Sequence, residues 1–183
     1  MQKFIPFIII FLVPFLSYSQ FSEGMEAMSN ERTPRHEDYQ PLILEATTYI
    51  FNNPVDQSSE EFIAATQIVA FWMDKDTELN IPTFGDFFDS LTNENHQQFL
   101  YAIAMIHYGL DQKLNHGRIL KCEPVKRKTY ADQEDVKEVQ LEGARIFLDY
   151  AGDPVNNVPL NAATQKYLEA YNYGRLEEIL FKV

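Results

Sequence analysis

The chain has 183 residues, 45% of them hydrophobic, with 15 Lys+Arg against 27 Asp+Glu and a formal net charge of −12. That composition supports one domain with a real core and argues against wholesale disorder, while the acidic balance repels phosphate backbones and makes nucleic acid a poor partner. The single cysteine, Cys122, excludes an intramolecular disulfide and any multi-cysteine zinc or iron–sulfur site within the chain, and no cofactor is expected.

The first segment reads as an address. Lys3 gives a positive start, Phe4 to Leu16 is an uncharged run of 13 residues, and Ser17-Tyr18-Ser19 offers the small residues a signal peptidase needs. A bilayer-spanning helix needs about 20 apolar residues, so a cleaved secretory signal over 1–19 is expected and no transmembrane segment in the mature chain. Export would carry the protein to a periplasmic or extracellular compartment, and there the unpaired Cys122 is expected to be buried. Residues 20–38, rich in Ser, Glu, Asn and Arg, read as a flexible polar leader, followed by a single helical domain over 39–183.

The remaining elements are expected to be helical. Pro41 suits a first helical turn, and Leu42, Ile43, Ala46, Tyr49 and Ile50 recur at helical spacing up to Asn52-Asn53-Pro54. Ser58 with Glu61 forms a capping-box pattern ahead of Phe62 to Met73, twelve residues without a charge, which must be covered on several sides. Thr83 and Asp86 can open a short helix carrying Phe84, Phe87, Phe88 and Leu91. Phe99 to Leu110 is a second uncharged run of twelve, so two central helices wrapped by amphipathic ones are expected. Asp132 can cap a helix with Val136, Val139, Gly143, Ile146 and Tyr150 facing inward. Asn161 can cap another with Tyr167, Leu168 and Tyr171, and Gly174 precedes a last turn with Leu176, Ile179, Leu180 and Phe181.

The fold class is therefore all-α, an irregular bundle of about five to seven helices. One internal echo allows stacked helical hairpins: Asn53-Pro54-Val55-Asp56 precedes Ala64-Ala65-Thr66-Gln67, as Asp153-Pro154-Val155-Asn156 precedes Ala162-Ala163-Thr164-Gln165. Without a sustained period across the chain, recurrence of a similar turn explains the echo more simply than a repeat.

No zincin, nucleophile-elbow, P-loop or paired-cysteine motif is present. His107 and Asp111 share a helix face, but Glu94 and His96 lie about 16 Å or more away along the same helix, too far to complete a metal site. A hydrogen bond from His107 to Asp111 or to a tyrosine is the simpler expectation. Trp72, Tyr101, Tyr108, Tyr150, Tyr167, Tyr171 and Tyr173 could line a groove, though aromatics at helical spacing are usually core. A small hydrolase would have to assemble its acid and base from distant carboxylates, with Asp86, Asp89, Glu94 and Asp111 as the first candidates.

The sharpest anomaly is electrostatic. Residues 113–130 hold Lys113, Arg118, Lys121, Lys126, Arg127 and Lys128 against Glu123 alone, a basic connection in an acidic chain. Arg118, Lys121, Lys126, Arg127 and Lys128 are the candidate binding residues for an anionic partner, a protein or a cell-envelope component; the alternative is that they screen the protein's own acidic faces. The leading reading is an exported, non-catalytic binding module, and a helical protein without a dedicated ligand is the plainest alternative.

Overall fold

In the computed structural model, residues 13–75, 77, 79–92 and 96–182 are described, with side chains from Gln20 onward; most of the expected signal segment and the candidate Glu94 lie outside the described residues. Among those residues there is no strand and there are eight α-helices: α1 Val13–Asn30, α2 Gln40–Asn52, α3 Glu60–Met73, α4 Asp86–Ser90, α5 Gln97–His116, α6 Glu134–Gly152, α7 Ala162–Asn172 and α8 Leu176–Phe181. The bundle is all-α, with one helix more than the sequence suggested.

The additional helix is α1, which replaces much of the expected polar leader. Phe21, Met25 and Met28 recur at spacings of four and three, so they form a narrow stripe although the segment as a whole is polar. Phe21 and Met28 are each 1% exposed, and α1 packs chiefly on α3. Phe21 meets Tyr49 edge to face at 5.9 Å, and Gln20 donates to Glu45 at 2.9 Å. Gly24 lets the backbone pass close to Leu42 and Ile68.

The two uncharged runs lie in α3 and α5, as expected, but α2 mediates between them. α2 packs against both, burying Ile43, Ala46, Thr47 and Ile50. α3 is covered by α1 and α2, and α5 by α2 and α6, so each uncharged helix has apolar neighbours on more than one side. The interface of α5 with α6 is the most extensive in the molecule. Phe87, Tyr101, Phe147 and Tyr167 join α4, α5, α6 and α7 through edge contacts of 4.8 to 6.3 Å between ring centres.

Local capping departs from the sequence reading at three helices: α4 starts after Gly85 and α6 after Gln133, neither with a side-chain cap from the expected Thr83 or Asp132, and at α3 the capping residue is shifted by one. Ser59, not Ser58, accepts the first-turn N–H of Phe62 at 3.2 Å, while Ser58 donates its hydroxyl to Asp56 and shapes the preceding turn. Asn161 caps α7 as expected, accepting from Ala163 and Thr164. The two echoing turns meet: the Val55 N–H donates to the Asn156 carbonyl at 3.2 Å, and Tyr150 donates to the Asn53 carbonyl at 2.7 Å. These contacts join the α2–α3 turn to the α6–α7 turn at one end of the bundle.

Candidate functional site

The basic connection begins where α5 stops. Gly117 has φ 66°, which suits the residue after a helix, and the Arg118 N–H reaches back to the Gln112 carbonyl at 2.8 Å. The helix extends to His116, further than the uncharged run suggested, so Lys113 belongs to its last turn, where a cation complements the exposed carbonyls. The connection itself therefore occupies residues 117–129.

Arg118 anchors this connection to α6. Its guanidinium donates to both carboxylate oxygens of Glu138, at 2.5 and 2.6 Å, and lies 3.6 Å from Asp135. Tyr108 of α5 donates to the same Glu138, so one carboxylate ties helix, connection and helix together. Those donors hold Glu138 below the usual carboxylate range, with the Arg118 hydrogen bond the largest cause, and burial followed by the Glu138 contact pushes the Tyr108 hydroxyl up. A second tie is the Lys121 backbone N–H, which donates to Asp135 at 2.8 Å.

Beneath the connection, Leu120 and Cys122 are buried, and Tyr130 donates to the Cys122 carbonyl at 3.0 Å. Burial pushes the Cys122 thiol up to about 11, with Asp135 and Glu138 adding to the effect. A thiol so placed is protonated at neutral pH and is a poor nucleophile.

The other four cations are arranged differently. Lys121, Lys126, Arg127 and Lys128 are exposed, and their side chains make no ion pair or hydrogen bond among the described residues. Direct pairing with the protein's own carboxylates thus accounts for Arg118, whereas Lys121 and Lys128 border Asp132, Glu134 and Asp135 without a contact pair. Arg127 has φ 69°, a left-handed conformation that non-glycine residues adopt at a cost, in the middle of the cationic tip. Ile119 and Val125, also in this connection, are exposed, a feature that charge counting alone does not reveal.

The remaining candidates separate. Asp86 pairs with Lys182 at 2.5 Å, Asp89 is exposed, and Asp111 accepts from Asn115 at 2.8 Å with His116 3.4 Å away. No hydrogen bond or ion pair joins these three carboxylates, and no group of three or more metal-ligating side chains occurs among the described residues. The candidate tyrosines do not converge on one groove: Tyr101 is buried and donates to the Gln140 carbonyl, Tyr171 reaches Asp149, and Tyr173 is 75% exposed.

His107 takes a partner that sequence spacing does not show. Its Nδ1 lies 3.0 Å from the Thr47 hydroxyl, which is also 2.9 Å from the Leu44 carbonyl, and the ring tautomer sets which of the two groups donates. Burial lowers the His107 pKa from 6.5, and the charge on Asp111 offsets this only in part. A folded-state pKa below the unfolded one means that the unfolded chain binds the proton first. Stability contributed by neutral His107 is therefore complete above pH 6.5 and falls as the pH drops toward the folded value. The slope for one proton is at most about 1.4 kcal/mol per pH unit. The wild-type minus His107→Gln difference in urea-unfolding free energy should shrink between pH 7.5 and about pH 5.5; a constant difference would refute this account.

A separate shallow apolar groove of about 430 Å³ lies beside the joined turns, lined by Val55, Phe62, Ile63, Phe99, Val158 and Pro159 among others. Comparison of the chain with family models, curated proteins and solved structures finds no match.

Proposed function

We propose that the protein is an exported binding module that holds an anionic partner, a protein or an envelope component, on the connection 117–129. The observation that supports this reading is the exposure of Lys121, Lys126, Arg127 and Lys128 with no side-chain ion pair or hydrogen bond among the described residues, on a segment that Arg118 fixes to the bundle. The role of Arg118 is positional: it orients the segment, and the other four side chains meet the partner. Cleavage after Ser19 would leave Phe21 and Met28, and thus the apolar stripe of α1, in the exported chain.

An acidic protein presenting a local cationic loop recognises charge at short range. The Debye length is about 8 Å at physiological ionic strength, so the nearby cations act on a docked partner while distant carboxylates are screened. Retention on envelope material from the producing cell should be saturable and should decline steadily as salt is raised from about 0.05 to 0.5 M. Retention that is indifferent to salt over this range would contradict the proposal.

A further inference from the structure

We infer that the anionic surface held by this connection is a bilayer containing acidic phospholipid, an inference that rests on the anionic-partner reading above. Charge alone does not distinguish a lipid surface from a dissolved polyanion. The aliphatic side chains do. Ile119 is 64% exposed and Val125 49% exposed, on the same connection as the four cations. Lys121 borders two shallow depressions, one shared with Ile119 and Glu123 and the other with Val125, Lys128, Asp132, Glu134 and Asp135, so aliphatic surface lies beside cations and carboxylates alike.

A soluble polymer of phosphate or carboxylate offers the cations partners but gives Ile119 and Val125 no apolar phase to enter. The bilayer interface offers both, with headgroup charge at the level of the ammonium and guanidinium groups and acyl chain just below. Lysine and arginine stems suit that boundary because their methylenes can lie in the apolar layer while their charged ends remain hydrated. The nearby carboxylates do not cancel the surface. Asp135 is engaged by Arg118 and by the Lys121 N–H, and Asp132 lies 3.6 Å from Lys137; Glu123 and Glu134 are the remaining opposing charges.

The test compares the full chain with three variants, Ile119→Ser/Val125→Ser, Lys126→Glu/Arg127→Glu/Lys128→Glu and Ile119→Trp. Binding is measured to vesicles of phosphatidylglycerol and phosphatidylcholine, to vesicles of phosphatidylcholine alone, and to long-chain polyphosphate. Because all four proteins share residues 1–19, differences among them report the connection and not the hydrophobic N-terminal segment.

The aliphatic variant is expected to bind acidic vesicles about tenfold more weakly while binding polyphosphate as wild type does, and the charge-reversed variant should lose both. Ile119→Trp should raise vesicle affinity, a gain that a misfolded protein would not show. Equal vesicle binding by wild type and the aliphatic variant would overturn the lipid inference and leave the anionic-partner reading standing. Equal binding of every probe by wild type and the charge-reversed variant would overturn both.

Discussion

Truncating Trp72 to alanine is expected to destabilise the fold by about 3 to 5 kcal/mol, in the range found for large aromatic deletions from packed cores. Trp72 is 1% exposed at the end of α3, and its indole N–H donates to the His36 carbonyl at 3.0 Å. The substitution therefore opens a cavity and leaves that carbonyl without its donor, in the turn that leads into α2. For a chain of this size the melting temperature should fall by about 6 to 20 °C, measured by calorimetry or by circular dichroism. A loss under about 1 kcal/mol would mean that α3 is not buried as described.

The second large effect arises where α5 and α6 cross. A Cβ on Gly143 would lie 2.5 Å from Met105 Cγ and 3.2 and 3.3 Å from the Met105 backbone N and Cα. The side chain of Met105 can turn, but the α5 backbone can yield only by separating the two helices. Gly143→Val should therefore cost about 1 to 3 kcal/mol or more, even though valine favours helix over glycine. Gly109 is the informative contrast. A Cβ there would meet only the Leu79 side chain, at 2.9 Å, so Gly109→Ala should cost less than Gly143→Ala. The reverse order would refute the close crossing.

The core is readable in the sequence because a run of twelve uncharged residues calls for cover on several sides, which marks both α3 and α5 as core helices, although α3 still turns Ile63, Gln67 and Ala70 to solvent. Segment α1 escapes for the complementary reason. Its burial depends on Phe21, Met25 and Met28, three residues among many polar ones, and composition averaged over the segment hides a stripe that spacing preserves. The position of α2 between the uncharged helices is not legible, since hydrophobicity indicates that a helix is covered without naming its neighbour. His107 shows the same limit: its partner Thr47 lies 60 residues away, whereas local spacing suggests Asp111.

For the site, the local excess of cations is visible by counting. Counting cannot divide them into one that anchors and four that remain exposed, because Glu138 lies 20 residues from Arg118 and is brought to it only by the packing of α6 on α5. Nor can it show the exposure of Ile119 and Val125, since an aliphatic residue in sequence is ordinarily assigned to the core.

The most direct test is to measure retention of wild type and Lys126→Glu/Arg127→Glu/Lys128→Glu on the same envelope preparation, with thermal melting recorded on the same samples. The three side chains are exposed and have no internal partner among the described residues, so stability should change by no more than about 0.5 kcal/mol. Each cation near an anionic surface contributes about 1 kcal/mol, so reversing three should weaken retention at least about 100-fold. Unchanged retention by a variant that melts like wild type would contradict the account.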